Sequence, residues 1–219
     1  MRHAQPGQDD QRSNRVGGTG RGSGRLYPEK RQGTNVLIAK LYLVRHGRDT
    51  GSGGADPDPG LSEIGHRQAA EMTARMVPLG PLPMVVSPLR STRETAAPLE
   101  AAWGVEAKVV DAVREIPSPA AGVPDRREWL RAIMNGVWAQ VDGSLYPWRQ
   151  GMIDTLLACT EDAIVVSHFI AINVAVGAAQ NDERLRIFHP DNCSITVMKT
   201  DGAALRLIEL GQNLDTRFT

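Results

Sequence analysis

The feature that most constrains the fold of this chain is an apolar run, Leu41 to Val44, that leads directly into Arg45, His46 and Gly47. An apolar run of this length is typical of a buried strand in a parallel sheet. Ligands of such sheets bind just beyond the carboxyl ends of the strands. We therefore predict that Arg45 and His46 lie at the mouth of a site, and that Gly47 lets the chain turn away sharply. The alternative is a strand that merely ends in polar residues, and the rest of the chain decides between the two.

The same order of strand, polar turn and helix recurs after this run. Ser62 is placed to cap the first helix. The predicted apolar face of that helix consists of Ile64, Ala69, Met72 and Met76. Residues 84–86 form a second strand candidate, which is followed by a helix that carries Arg90 and Arg93. Two such units favour an alternating α/β architecture.

Two more strand candidates in the later part of the chain end close to titratable side chains. Residues 106–110 form the third candidate and lead toward Glu115. Residues 163–166 form the fourth and run directly into Ser167 and His168. A single histidine is usually structural, but two histidines that each follow a buried strand indicate a site.

The remaining segments predict three helices and a hairpin that complete the core. Apolar residues at helical spacing predict two helices between the third and fourth strands, with faces formed by Leu130, Ile133, Met134, Val137 and Val141 and by Met152, Ile153, Leu156 and Leu157. Residues 169–179 predict an apolar helix, and residues 194–199 and 205–210 predict a closing hairpin. The nearby Trp129, Trp138 and Trp148 allow two interpretations, a buried core or the lining of a substrate pocket.

Composition excludes several classes of function. The 219 residues include 25 basic and 25 acidic side chains, so the net charge points to neither a nucleic acid nor a membrane as a partner. Cys159 and Cys193 are too few for a disulfide framework or a zinc site, and reduced thiols in a cytoplasm are the simplest interpretation. The chain contains neither an apolar window of ~18 residues nor the core of a signal peptide. We therefore predict a cytoplasmic protein.

The first 35 residues differ from the rest. They are rich in Gly, Arg, Gln, Ser and Asn, and they contain almost no large apolar side chains. Such a segment cannot bury enough surface to fold, so residues 1–35 are predicted to be a disordered basic tail. Contact with RNA is an alternative for this tail. Translation that begins near Val36 is a further hypothesis, because the recognisable domain starts there.

Taken in order, these segments resemble the histidine phosphatase superfamily, the phosphoglycerate-mutase-like group. The motifs that carry the resemblance are Leu-Val-Arg-His-Gly at 43–47, Ser-Pro-Leu at 87–89, Glu-Thr-Ala at 94–96, the glutamate at 115 and Val-Val-Ser-His at 165–168. The resemblance covers about residues 38–211. It implies a three-layer α/β/α sandwich with a mostly parallel central sheet, in a single domain that spans residues 36–219.

The resemblance also implies phosphoryl transfer through a phosphohistidine intermediate, without a metal or other cofactor. Neutral His46 would be the nucleophile, and the guanidinium of Arg45 would bind the phosphoryl oxygens. Cationic His168 would stabilise the charge that develops in the transition state, with Ser167 as a further phosphate-binding residue. Glu115 would protonate the leaving group, which requires a raised pKa.

The chain departs from the family pattern at several positions. The second phosphate-binding arginine of the family falls at Ser91, so we assign its role to Arg90, with Arg93 in reserve. The glycine that often follows the second histidine is Phe169, which narrows the site. A short Gly/Asp/Pro loop replaces the asparagine and arginine that the mutases carry after Arg-His-Gly. This loop argues against a sugar-phosphate mutase.

Three functions remain open on these residues. The first is a phosphatase for a small phosphorylated substrate, which the tryptophan-containing segment 111–150 favours because it would partly cover the site. The second is a protein phosphohistidine phosphatase. The third is a phosphoanion-binding or regulatory protein that has lost turnover together with the second arginine. The sequence does not decide whether the chain acts alone or as a homodimer.

Overall fold

The fold is described from a computed structural model over residues 38–51 and 56–213. The predicted basic tail at residues 1–35 and the predicted start near Val36 lie outside these described residues. The strands are β1 (Ala39–Arg45), β2 (Met84–Val86), β3 (Lys108–Val109), β4 (Ala163–Ser167), β5 (Ile195–Thr200) and β6 (Leu205–Glu209). The α-helices are α1 (Glu63–Met76), α2 (Arg90–Trp103), α3 (Arg126–Ile133), α4 (Tyr146–Leu157) and α5 (Phe169–Gln180). Short 3₁₀ turns cover Val77–Leu79, Asp111–Val113, Trp138–Gln140 and Gly143–Leu145.

The described strands form one six-stranded sheet in the order β3-β2-β4-β1-β5-β6. β1, β2, β3 and β4 pair in parallel, whereas β5 runs antiparallel to both of its neighbours. Arg45 is in register with Ser167, and Val86 is in register with Val166. The residues that follow β1, β2 and β4 therefore meet at one edge of the sheet. This arrangement confirms the predicted α/β fold with a mostly parallel sheet, and it brings the two histidines together.

Helices cover both faces of the sheet, and each face has its own apolar core. On one face, strand residues pack against α1 and α2 in a buried cluster that includes Val44, Val86, Val166, Met72 and Leu99. On the other face, strand residues pack against α4 and α5 in a second cluster that includes Leu43, Val165, Met152, Leu156 and Ile172. Because every residue of β4 is buried, its sequence is continuously apolar up to Ser167, as expected for a central parallel strand.

Several local predictions are confirmed, and others are corrected. Ser62 caps α1, where its side chain accepts a hydrogen bond from the backbone N–H of Gly65. Ile64, which was predicted to face the core, is 40% exposed, and Gly65 is buried in its place. The predicted long helix through Val141 ends at Ile133. The helix ends there because the segment that follows pairs with residues 183–185.

Gly47 is required for close packing rather than for an unusual backbone conformation. Its φ is not positive, so the backbone conformation alone does not require a glycine here. A Cβ atom at this position would lie 2.7 Å from the carbonyl oxygen of Gly65, in the first turns of α1. The backbone N–H of Gly47 also donates to the Thr95 hydroxyl at 3.0 Å. The missing side chain therefore lets α1 approach the end of β1.

Gly47→Ala is expected to lower the free energy of unfolding by about 1–3 kcal/mol, because the new methyl group meets backbone atoms that cannot move aside easily. Urea unfolding followed by circular dichroism measures this loss. Gly151→Ala is the control, since its Cβ would make only an ordinary contact at 3.7 Å and alanine favours the interior of α4. Equal stability of the two variants would contradict the close-packing role of Gly47.

Among residues 38–51 and 56–213, no helix is both long enough and apolar enough to cross a bilayer.

Candidate active site

His46 lies directly after β1 and is only 8% exposed. Its backbone N–H donates to the carbonyl of Ser167 at 3.0 Å, which ties the end of β1 to the end of β4. The ring atom Nδ1 lies 2.8 Å from the carbonyl oxygen of Gly47. A carbonyl can only accept, so Nδ1 carries the proton and the lone pair is on Nε2. The local backbone thus selects the tautomer in which Nε2 can attack an electrophile.

The surroundings of His46 also keep it uncharged. Burial, together with the neighbouring positive charge of Arg45, lowers the pKa of His46 to about 4. At neutral pH the imidazole is therefore a free base. This is the protonation state that a nucleophilic histidine needs.

His168 follows β4 and lies against His46, with a distance of 5.0 Å between the ring centroids. Its Nε2 atom lies 2.8 Å from the hydroxyl of Ser87, the residue that follows β2. Burial lowers the pKa of His168 well below its usual value, and the nearby His46 and Arg45 add to this effect. The cationic His168 expected from the resemblance is thus disfavoured at neutral pH, because the ring is buried beside other basic groups. The negative charge of a bound phosphate dianion would raise the pKa of His168.

Arg45 is held in place by both polar and aromatic contacts. Its Nη1 donates to the carbonyl of Pro190 at 2.8 Å, and its guanidinium lies 5.3 Å from the centre of the Phe169 ring. Burial lowers the pKa of Arg45, and Glu115 and Asp191 act against this shift, so the guanidinium stays charged. Its buried Nε has no hydrogen-bond partner among the described residues. Phe169 therefore packs against the guanidinium of Arg45 and supports it.

Glu115 is partly buried, and its charge acts on Arg45. Its carboxylate accepts hydrogen bonds from the backbone N–H groups of Ile116, at 2.9 Å, and Ile170, at 3.2 Å. Burial raises the pKa of Glu115, although these hydrogen bonds and the charges of Arg126 and Arg45 partly oppose the rise. A raised pKa favours a carboxyl group that can hold and then release a proton.

The side chains of the other predicted phosphate-binding residues make contacts outside the cavity beside His46. The hydroxyl of Ser167 donates to the carbonyl of Val113 at 2.7 Å and is fully buried. The side chain of Arg90 is 59% exposed and its Nε donates to Glu94 at 2.8 Å. Arg93 is exposed on the same helix. The structure therefore does not support the assignment of Arg90, because the first turn of α2 directs its guanidinium to Glu94, one turn along the helix.

A cavity of about 370 Å³ opens beside His46. The residues that line it are Arg45, His46, Arg48, Asp49, Gly51, Arg127 and Asn192. The side-chain amide of Asn192 donates to the carbonyl of His46 at 2.9 Å, so this residue helps to fix the backbone of the nucleophile. Asn192 and Arg127 are not among the site residues predicted from the sequence. A signal for Arg127 was present in the Arg-Arg pair at 126–127, close after Glu115.

The tryptophans belong to the core rather than to this cavity. Trp138 is buried and packs against Trp148, with ring centroids 6.3 Å apart. Trp129 packs against the same apolar cluster and against the guanidinium of Arg126. None of the three is among the residues that line the cavity. The core interpretation of these side chains is therefore the correct one.

Neither cysteine is suited to act as a nucleophile. Burial raises the pKa of Cys193 to about 12, and it raises the pKa of Cys159 as well. Because the thiolate is the reactive form, both thiols react slowly at neutral pH. In the part of the chain that the structure describes, no group of three or more His, Cys, Asp or Glu side chains could hold a metal ion. His46 is the best-placed nucleophile at this edge of the sheet.

Comparison with known sequences gives two matches. The profile of the histidine phosphatase superfamily (branch 1) matches residues 41–121, which include the end of β1, the start of α2 and Glu115. A probable phosphoglycerate mutase, GpmB, of Erwinia tasmaniensis is 27% identical over 190 aligned residues, which cover 73% of this chain and 84% of the relative.

Comparison with solved structures gives similar folds. A phosphoserine phosphatase from Entamoeba histolytica, solved with 3-phosphoglyceric acid, matches with a TM-score of 0.63 and 20% identity, over 80% of this chain and 98% of that one. A mycobacterial glucosyl-3-phosphoglycerate phosphatase matches with a TM-score of 0.63 and 19% identity, over 80% of this chain and 100% of that one. At this level of identity the likeness shows a shared fold.

Proposed function

We propose that this chain is a histidine phosphatase that hydrolyses phosphate monoesters through a phosphohistidine intermediate on His46, as the match of residues 41–121 to the profile of that superfamily supports. The observation that carries this proposal is the hydrogen bond from Nδ1 of His46 to the Gly47 carbonyl, at 2.8 Å. It leaves Nε2 unprotonated beside Arg45, in a cavity open to a substrate. A neutral, oriented imidazole next to a phosphate-binding guanidinium is the arrangement that phosphoryl transfer to histidine needs.

The first chemical step forms a bond between Nε2 of His46 and phosphorus, and it breaks the bond from phosphorus to the ester oxygen. Arg45 binds the phosphoryl oxygens, while His168 lies against the nucleophile and donates as the transition-state charge grows. Glu115 gives its proton to the departing oxygen, so an alcohol leaves rather than an alkoxide.

The second step regenerates the enzyme. Glu115, now a carboxylate, accepts a proton from water, and the water oxygen bonds to phosphorus as the N–P bond breaks. Phosphate leaves, while Glu115 is protonated and His46 is again neutral. No other reactant takes part in the cycle.

The cavity favours a small substrate. Its volume of about 370 Å³ is in the range of small-molecule sites. The guanidinium of Arg127 reaches across its mouth to the carbonyl of Gly51, so α3 restricts access from outside. We further propose that this protein works in the cytoplasm and needs neither nucleic acid nor membrane.

A screen of the purified chain against phosphate monoesters tests this proposal. The panel contains para-nitrophenyl phosphate, phosphoserine, 3-phosphoglycerate and a peptide that carries phosphohistidine. Release of phosphate from small esters supports the proposal, and a preference for the peptide would favour a protein phosphohistidine phosphatase. Conversion of 3-phosphoglycerate to its isomer without phosphate release would establish the mutase activity that the name of the Erwinia relative suggests.

A phosphoanion-binding protein without turnover is the second candidate. The observation in its favour is the buried Ser91 at the position of the family's second arginine, together with the engagement of Arg90 by Glu94. Calorimetric titration with inorganic phosphate separates this candidate from the enzyme. Tight binding with no hydrolysis across the panel would make the chain a binder.

The pH dependence of hydrolysis should have two limbs. With correction for substrate ionisation, kcat/KM is expected to fall as the pH drops through about 4, where His46 becomes protonated and loses its lone pair. It should also fall as the pH rises through the raised pKa of Glu115, because the carboxyl group then has no proton to give. An acid limb near the ordinary histidine value of about 6.5 would contradict the effect of burial on His46.

A further inference from the structure

The motif residues leave the phosphoryl group with too few positive partners. A phosphate monoester carries close to two negative charges, and these spread over three oxygens in the transition state. Arg45 is the one arginine of the recognised motifs that lines the cavity within the described residues. Ser91 supplies no charge, and the guanidinium of Arg90 is held by Glu94. The other arginines that line the cavity, Arg48 and Arg127, lie outside these motifs.

Arg127 is the arginine that the fold brings to this place. It lies in the first turn of α3, outside the motifs, and lines the same cavity as Arg45 and His46. Its Nη2 donates to the carbonyl of Gly51, so the guanidinium is held at the cavity mouth. The contact joins α3 to the segment that follows the nucleophile.

Hydrogen bonds of Asp125 and Arg126 fix the first turn of α3. The carboxylate of Asp125 accepts from the backbone N–H groups of Arg127 and Glu128, at 2.8 and 3.1 Å, and so caps the helix. The neighbouring Arg126 donates to the carbonyl of Ile116 and to the Ser118 hydroxyl, beside the general acid. Arg126 thus anchors the start of the helix, and the exposed side chain of Arg127 is held beside the cavity by its hydrogen bond to Gly51.

The charge of the cavity matches a phosphoryl dianion. Among the described residues that line the cavity, three carry a guanidinium group, Arg45, Arg48 and Arg127, and one carries a carboxylate, Asp49, while Glu115 and Asp191 act on Arg45 from outside this lining. Because His46 is neutral, three positive charges and one negative charge leave a net charge of two positive. Without Arg127 the net charge would be one, and a bound dianion would be incompletely balanced.

We propose that Arg127 is the second phosphoryl-binding arginine of this protein, supplied by α3 in place of the arginine that the family carries on α2. The inference rests on the proposed function in so far as the bound group is a phosphate ester. Arg127 donates N–H groups to the phosphoryl oxygens opposite Arg45, and its planar fork is suited to two oxygens at once. A substrate would approach this guanidinium from the cavity side, where His46 lies.

Arg127→Ala is expected to lower kcat/KM for para-nitrophenyl phosphate by about 10–10²-fold, as the loss of an electrostatic stabiliser does. The same variant should bind inorganic phosphate at least about tenfold more weakly in a calorimetric titration. Arg131→Ala, one turn further along α3 and exposed, is the matched control and should leave both quantities unchanged. Arg127→Lys keeps the charge but not the fork, so its loss should be intermediate.

The same experiment separates this inference from the proposed function. If Arg127→Ala equals the control in both quantities while the wild-type protein hydrolyses esters, the inference is overturned and the function stands. If the wild-type protein hydrolyses nothing but its phosphate affinity depends on Arg127, the function fails and the inference stands. A loss that appears with Arg48→Ala and not with Arg127→Ala would also overturn it.

Restoring the family arrangement gives a second, positive test. Ser91→Arg in the Arg127→Ala background should recover at least tenfold of the lost kcat/KM, provided that circular dichroism shows the double variant to be folded. In the wild-type background the same change should add much less, because Arg127 already supplies the charge. Arg127→Gln, which keeps the side-chain length, replaces the alanine variant if that variant proves unstable.

Discussion

Replacing His46 with alanine is expected to lower turnover of phosphate esters by about 10⁴–10⁶-fold, the range seen when a catalytic nucleophile or its base is removed. The reason is chemical, since no phosphohistidine can form without Nε2. Cys193 and Cys159 cannot substitute for it, because burial raises the pKa of both thiols. His168 cannot substitute either, since its Nε2 lies against the hydroxyl of Ser87.

The variant is measured against a histidine that shares only its residue type. His66 is exposed on α1, and His66→Ala should leave turnover unchanged. Acid-sensitive, alkali-stable phosphate on the protein should be trapped from the wild-type enzyme and from the His66 variant, but not from His46→Ala. Near-ultraviolet circular dichroism confirms that the variants are folded. If the folded His46→Ala variant turns over within about tenfold of wild type, the assignment of His46 as the nucleophile is wrong.

Much of the site could be predicted because it depends on strand ends. The apolar runs before His46 and His168 are long enough to identify buried parallel strands, and such strands deliver the residues after them to one sheet edge. The cap at Ser62 was also readable, because a hydroxyl before a first-turn acid is a local signal. Each of these features depends only on residues nearby in the sequence, and tertiary packing does not change it.

The direction of individual side chains could not be predicted in this way. Arg90 and Ser91 are adjacent, yet the helix directs the exposed side chain of Arg90 toward Glu94 and buries Ser91. Arg127 reaches the cavity only because α3 crosses from a distant part of the chain to Gly51. The packing of Gly47 against Gly65 likewise joins two segments that give no local sign of contact.

The protonation states were harder still to predict from sequence. A histidine after a strand can be neutral or cationic, and the difference lies in how much protein surrounds it. His168 is neutral because several elements bury it beside His46 and Arg45, and no single motif contains that information. The negative charge of a bound phosphate ester opposes this shift, so the proposed role of His168 as a donor does not require a cation before the substrate binds.

Replacing Glu115 with glutamine is expected to slow esters of poor leaving groups by about 10²–10⁴-fold in kcat/KM, the usual contribution of general acid catalysis. Glutamine has the shape of the acid and can still accept from the N–H of Ile170, so the start of α5 should keep its place. It cannot deliver the proton that an alkoxide needs. A nitrophenolate leaves without that proton, so kcat/KM for para-nitrophenyl phosphate should change by less than about tenfold.

Because Glu115 is proposed to act in both steps, Glu115→Gln should change kcat and kcat/KM differently. Hydrolysis of the phosphohistidine needs the carboxylate as a base, whatever the leaving group was, so Glu115→Gln should lower kcat even for para-nitrophenyl phosphate. Nitrophenolate should then appear in a burst close to one equivalent per enzyme, and phosphate should accumulate on His46. Glu106→Gln, at an exposed position on the same segment, is the control and should show no burst. Equal losses in kcat/KM for good and poor leaving groups, without a burst, would remove Glu115 from both steps and leave the raised pKa of its carboxyl group as a consequence of burial alone.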